Sequence, residues 1–471
     1  MLFPTITFAT FFVIVFLANW FLMPFPRRWR WFMLAASYFF YGFWNWRFVG
    51  LLVVSTLANQ FFAVRIEGSE AETRRRMLIA GAVSVNLGLL GYFKYYGFFV
   101  DSVNSTLDTL GLGGSLPLIQ VTLPVGISFF TFQALSYVID IYRRKLAVAP
   151  PLDFAVYLAF FPQLVAGPIV RGTELLPQFK GRRDPRRIDA SRAFYLIAIG
   201  LAKKVVIADF LASNLVDGVF ASPGQYGSLE ILVAVYAYSV QIYADFSAYS
   251  DIAIGVALLL GFRFPDNFNA PYTAVSIQDF WRRWHMTLSR WLRDYLYIPL
   301  GGNRGAGLLT QRNLMLTMLL GGLWHGAAWR FVIWGGLHGA WLVWERSREA
   351  RRTEPLVVTA GLQFRRRFVT FNLVSFAWIF FRSSSLSTAW EMIRRLVTEW
   401  GGGIDAVTIP ILLAIAVGIG AQYVTRPAVD RVLAGFSRLA PAAQGGVLAV
   451  ALLAIDALAN EGVAAFIYFQ F

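Results

Sequence analysis

The sequence predicts an all-α, polytopic membrane protein, and three observations carry that reading: composition, the spacing of apolar runs and the placement of basic residues. Of 471 residues, 57% are hydrophobic, 17% aromatic and only 15% charged, far from the mix of a soluble domain. Apolar runs recur near the roughly 20 residues that carry a helix across a hydrocarbon core about 30 Å thick. Basic clusters punctuate them: Arg27, Arg28 and Arg30 follow the first run, Arg65 and Arg74 to Arg76 the third, and Arg143, Arg144 and Lys145 the fifth. The intervening segment 101–120 has no Lys or Arg. The positive-inside rule therefore places the N-terminus outside and the clusters in the cytoplasm. The first run lacks a basic n-region and an A-x-A site, so it reads as a retained helix rather than a signal peptide.

The net charge of +15 is scattered between apolar runs, which points to membrane lipid and not to nucleic acid as the anionic partner. There is no cysteine, which excludes disulfides, thiolate metal sites and thiol nucleophiles. Helices are expected near 2–24, 31–46, 48–64, 77–100 and 121–142, each bounded by charge or by Gly, Asn and Asp. The stretch DFAVYLAFFPQLVAGPIV (153–170) breaks the pattern, because Pro162 and Gly167-Pro168 interrupt any regular helix. It fits a re-entrant hairpin beside a lined cavity, or a surface loop helix. Further helices are expected near 191–215, 228–245, 247–262, 313–329, 331–345, 368–381, 406–424 and 444–460. The total is about ten to thirteen spans, plus re-entrant and interfacial helices, in one domain over 1–471.

The chain has three histidines, His285, His325 and His338, all within residues 285–338. Clustering of the one side chain that titrates near neutral pH marks this region as the candidate site. In FWRRWHMTLSRWLRDYLYIPLGG, helical spacing puts Trp281, Trp284, Leu288, Trp291, Leu292 and Tyr295 on one side within about 80°, with His285 among them. Arg282, Arg283, Arg290 and Arg293 project the other way, as on an amphipathic helix at the cytoplasmic interface. They meet anionic headgroups or, second, a phosphorylated donor. His285 is then either a site residue or an interfacial histidine bonded to a backbone carbonyl.

In LLGGLWHGAAW (319–329), His325 stands beside Trp324 and, counted from Arg312, lies roughly 18 Å into the membrane. An imidazole at that depth is a functional candidate, set against a structural histidine bridging helices. Gly321, Gly322 and Gly326 allow either close helix approach or access by a thin substrate. His338 would sit about 220° away on a continuous helix, which fits a structural or supporting role. No HExxH spacing orients the rings for zinc, so no metal is expected. No GxSxG is present, and Gly301-Gly302-Asn303-Arg304-Gly305 lacks the GK[ST] ending of a P-loop. Lys203 and Lys204, and Asp245 and Asp251, also lie in apolar context. The lysines are expected to snorkel or, less readily, to meet an anionic donor. The aspartates, six apart, face nearly opposite ways and form no dyad.

Taken in order, FFPQLVAGPIVR (160–171), YADFSAYSDIAIG (243–255), FWRRWHMTLSRWLRDYLYIPLGGNRG (280–305), LLGGLWHGAAW and the terminal FIYFQF (466–471) resemble bacterial membrane-bound O-acyltransferases, nearest the alginate O-acetyltransferase branch. The resemblance implies a helical bundle enclosing a channel in a bacterial inner membrane. It implies acetyl transfer from a cytoplasmic thioester, acetyl-CoA, toward hydroxyls of an extracytoplasmic polysaccharide, with a partner acetyltransferase completing the step. It maps the essential histidine onto His325 and the second signature position onto His285. General-base chemistry suits the first, and orientation of the acyl carbonyl or oxyanion stabilisation the second. Two alternatives stand beside it: a D-alanyl transferase acting on teichoic acid from a carrier protein, and a proton-coupled transporter, whose expected broken-helix repeat is absent.

Overall fold

The computed structural model describes residues 1–112, 116–119, 121–165, 167–181, 183–304, 307–353 and 359–458. The FIYFQF motif lies outside them. The regular elements among the described residues are all helical, without strands, and the chain divides into two compact units.

The first unit holds 1–189 and 256–265. Its helices are α1 (Ile6–Leu22), α2 (Pro26–Gly42), α3 (Arg47–Glu67), α4 (Glu72–Leu90), α5 (Tyr96–Thr109) and α6 (Ile127–Tyr142), followed by the short α7 (Pro151–Ala159), α8 (Phe161–Leu164) and α9 (Gly172–Leu175). Local chemistry starts them as expected. The Thr5 hydroxyl caps α1 by accepting from the Phe8 N–H, and Pro26 opens α2, where a missing N–H costs nothing. A π-turn at Gly91–Tyr95 joins α4 to α5 in one 38-residue run. Asn59 on α3 and Asn86 on α4 exchange side-chain hydrogen bonds of 3.2 and 2.7 Å, the polar contact that joins helices where lipid offers no hydrophobic drive.

The stretch at 153–170 departs from regular helix as anticipated. The chain breaks at Phe160 (φ −54°, ψ 107°), and Pro162 opens α8. Gly167 then returns so tightly that a Cβ there would meet the Gln163 Cα at 2.6 Å and the Pro162 carbonyl oxygen at 2.7 Å. Phe160 and Phe161 are fully buried, the latter edge-on to Phe11 at 5.3 Å.

The second unit holds 190–255 and 266–471. Its helices are α10 (Ala190–Leu201), α11 (Asp209–Leu211), α12 (Asp217–Ala221), α13 (Ser228–Leu259), α14 (Ile277–Trp281), α15 (Met286–Leu292), α16 (Gly307–His325), α17 (Trp329–Ala350), α18 (Ala360–Arg382), α19 (Leu386–Thr398), α20 (Ile409–Gly420), α21 (Arg426–Ser437) and α22 (Pro441–Ala457). The two helices expected at 228–245 and 247–262 are one, α13, because YADFS at their junction contains no breaker.

Among the described residues, three helical runs are long and apolar enough by themselves to cross a membrane: Arg47–Glu67, Glu72–Thr109 and Ser228–Leu259. Shorter apolar helices stand at α1, α6 and α22, and α20 with α21 forms a pair bent by 92°. α16, α17 and α18 fall outside that apolar class because they carry buried polar groups, Asn313, His338 and Ser375 among them, and arginines.

The tightest packing joins α16 to α17. A Cβ on Gly322 would run into the Phe331 carbonyl oxygen, and one on Gly335 into the Met318 carbonyl oxygen. Gly326 is covered by the Phe331 ring. Gly322 and Gly326 of LLGGLWHGAAW thus serve close approach to α17, whereas a Cβ on Gly321 would meet Leu292 at 3.2 Å. Gly322→Ala should lower thermal stability in detergent by about 1–3 kcal/mol or block folding. Gly336→Ala, whose Cβ would lie 3.5 Å from Leu319 Cδ2, should leave it unchanged. Equal melting of the two variants in tryptophan fluorescence would contradict this packing.

Candidate active site

The site is assembled within the second unit from the α14–α15 bend, the α16–α17 hairpin and the end of α18. The continuous amphipathic helix expected through 281–295 does not form. α14 ends at Trp281, and His285 takes a left-handed backbone (φ 41°, ψ 54°) at the start of α15, a conformation uncommon for non-glycine residues. The inward angle of a continuous helix therefore does not apply, yet His285 is fully buried. The bend presses its ring against Phe246, edge-on at 4.7 Å.

Asn267 holds that bend, and sequence reasoning missed it. Its carbonyl oxygen accepts from the Met286 N–H at 2.8 Å. Its Oδ1 accepts from the Thr287 N–H at 3.3 Å and the Thr287 hydroxyl at 2.9 Å, and stands 3.1 Å from His285 Nδ1. A backbone N–H only donates, so the amide atom it meets is oxygen, and His285 Nδ1 must then carry the proton. The lone pair is left on Nε2. Burial pushes this imidazole well below its ordinary pKa range, so the ring is neutral at neutral pH.

His325 is the last residue of α16. The helix expected over 313–329 stops there, and the chain turns through 326–328 into α17. The buried His325 ring has Trp324 at 5.0 Å, Trp334 at 5.1 Å and Phe381 at 5.3 Å. Trp324 also lies 6.2 Å from His285, so one indole is near both histidine rings. His338 joins the same layer, 4.8 Å from Trp334 and 5.3 Å from Trp281. The 220° separation assumed one unbroken helix; the reversal at 326–328 removes it.

A cavity of about 780 Å³ opens beside this layer, walled by Trp281, Met286 and Met318 and by many guanidiniums, Arg282, Arg290 and Arg365 among them. Neither His285 nor His325 lines it. Arg283 does not line it either; it pairs with Asp279 at 2.8 Å. Three of the arginines expected to spread over a lipid surface, Arg282, Arg290 and Arg293, thus line a half-open cavity of ligand size.

Lys203 and Lys204 do not snorkel. Lys203 pairs with Asp251 and donates to the Ser247 hydroxyl at 2.8 Å. Lys204 pairs with Asp209 at 2.7 Å and Asp245 at 2.9 Å. A π-turn at Ala202–Ala208 points both amines at α13. As their spacing required, Asp245 and Asp251 do not meet; each takes a different lysine. Hydropathy alone gave no sign of Asp209.

A model of the membrane-bound O-acyltransferase family matches residues 125–381. The probable alginate O-acetylase AlgI of Azotobacter vinelandii is 43% identical over 405 residues, 85% of this chain and 79% of the relative. The chain belongs to the membrane-bound O-acyltransferase family. It is a membrane enzyme, an O-acyltransferase. The peptidoglycan O-acetyltransferase of Helicobacter pylori is 38% identical over 82% of this chain and 75% of its own length. A teichoic acid D-alanyltransferase of Streptococcus thermophilus is 29% identical over 56% of this chain and 69% of the relative.

The buried ion pairs yield a stability prediction. Lys204→Met leaves two buried carboxylates without their cation and should destabilise the protein by about 3–5 kcal/mol. Adding Asp209→Asn and Asp245→Asn should restore most of that loss. A triple variant melting no higher than the single one would refute the pairing.

Proposed function

We propose that this O-acyltransferase takes an acetyl group from a cytoplasmic thioester, acetyl-CoA, and delivers it toward hydroxyls of an extracytoplasmic polysaccharide, with a partner acetyltransferase completing the transfer. The observation that carries the reading is the meeting of His285 and His325 on Trp324 beside an arginine-walled cavity. Guanidiniums bind phosphate oxygens in bidentate fashion, which suits a nucleotide-bearing donor. The acetylases match at higher identity and over more of the chain than the D-alanyltransferase, which favours acetyl over D-alanyl.

In this reading an acceptor hydroxyl attacks the thioester carbonyl carbon, the C–S bond breaks, and the hydroxyl proton passes to His325 and on to the departing thiolate. His325 is the general base, a role that contributes about 10² to 10⁴ in rate. The tautomer set by Asn267 alters the role for His285. With Nδ1 protonated, Nε2 accepts a hydrogen bond and cannot donate one to an oxyanion. His285 is therefore better suited to orient the acceptor hydroxyl through that lone pair.

Purified protein with labelled acetyl-CoA should transfer label to an acceptor, which reaches polysaccharide when the partner acetyltransferase is present, and His325→Ala should fold and lose about 10² to 10⁴ in rate. Normal transfer by that variant would remove His325 from the mechanism. Asn267→Asp places a carboxylate on Nδ1–H, which raises the imidazole pKa. Since the lone pair is lost on protonation, the acidic limb of the pH–rate profile should move to higher pH. An unmoved limb would show that the His285 tautomer is not used.

A further inference from the structure

Three rings link the arginine-walled cavity to His325. Trp281 lines the cavity and is the last residue of α14. Its ring lies 5.3 Å from His338 and 5.7 Å from Trp334, and those two rings are 4.8 Å apart. Trp334 is in turn edge-on to His325 at 5.1 Å. The triangle thus reaches from the cavity wall to the His325 layer. Glu345 of α17 holds its first corner in place: the carboxylate accepts from the Ile277 and Gln278 N–H groups at 2.7 and 3.1 Å, which ties the start of α14 to the helix that carries His338.

Trp334 and His338 are fully buried. Among the described residues, however, the polar atoms of the triangle have no hydrogen-bond partner: Trp281 Nε1, Trp334 Nε1, and both ring nitrogens of His338. A structural histidine bridging helices would bond a carbonyl or a side chain, and this one does neither. Phe280 at 6.1 Å and Trp341 at 5.5 Å enclose it further and offer its N–H no acceptor. Native proteins pair nearly all buried polar groups, so a cluster of unpaired ones marks a place where a ligand supplies the partners. A neutral imidazole presents one N–H and one lone pair, and each indole one N–H. A secondary amide, with one carbonyl and one N–H, is the complement of that imidazole. Further carbonyls on the same chain would suit the indoles, whereas a plain alkyl chain would leave every group unpaired.

We propose that His338, with the N–H groups of Trp281 and Trp334, binds the amide-bearing arm of the thioester donor where it passes from the cavity toward His325. This rests on the acyl-transfer reading above and adds the residue that selects the arm. Trp281, the one partly exposed ring of the three, turns aside to admit it. His338 then holds an amide through both nitrogens, which sets how far the thioester carbonyl advances.

The test is calorimetric binding of coenzyme A to the full chain in detergent, against its nucleotide end alone, the 3′-phosphorylated ADP that remains when the arm is removed. Coenzyme A should bind at least about ten-fold more tightly, the gain expected from a pair of neutral hydrogen bonds. His338→Phe, which keeps an aromatic ring and deletes both nitrogens, should remove most of that preference and leave nucleotide binding unchanged. His338→Gln, whose amide again offers a donor and an acceptor, should restore part of it. If His338→Phe does not fold, Trp281→Phe decides: it keeps a ring on the cavity wall without the N–H, and should weaken coenzyme A alone by about three-fold. Absence of the preference in the wild type would overturn the proposal, as would its persistence in the variants, the result expected if buried water satisfies these groups. Equal loss of both ligands would make His338 structural and overturn it too. Labelled acetyl transfer by the same preparation is scored separately: arm-selective binding without transfer would refute the acyl-transfer reading and leave the arm site standing, and transfer with an unaltered preference in the variants would do the reverse.

Discussion

The site depends on how closely α16 approaches α17. In lipid, apolar side chains gain nothing by leaving one helix neighbour for another, so association rests on close backbone contact and buried polar pairs. Gly322 and Gly335 let backbone carbonyls of the opposite helix occupy the space of their missing side chains. That contact sets the layer in which His325, Trp334 and His338 meet. A bulkier residue at the crossing would separate the rings as well as the helices.

Elsewhere in the second unit, several polar groups in apolar surroundings are paired locally. Lys203 and Lys204 are each matched by a carboxylate of α13, and Asn267 spends its amide on the bend that holds His285. A buried ion pair is costly to break and adds little net stability. Its consequence here is register, since two adjacent amines facing two carboxylates six residues apart fix how the Ala202–Ala208 turn lies along α13. The histidine rings are instead enclosed by aromatic side chains.

Helix content and membrane class were legible in the sequence, from the hydrophobic fraction and run lengths, and confinement of all histidines to 285–338 marks the candidate site. Angular arguments were reliable only where the helix was real. They separated Asp245 from Asp251 correctly on α13, and failed for His338, because they assumed an unbroken helix through 326–328. For His285 they gave the right burial for the wrong reason, since the bend at 282–285 replaces the helix they required.

The sequence by itself marked candidate residues, because polar groups in apolar runs are few and most stand out as exceptions. Only the tertiary structure decided which of them meet. Partners such as Asp209 for Lys204 and Asn267 for His285 stand five and 18 positions away along the chain. Whether such a pair forms depends on π-turns, a left-handed residue and a hairpin reversal, and hydropathy does not encode these. The physical reason is that hydropathy reports the medium around a helix, whereas a site is made by backbone irregularities that turn side chains toward one another.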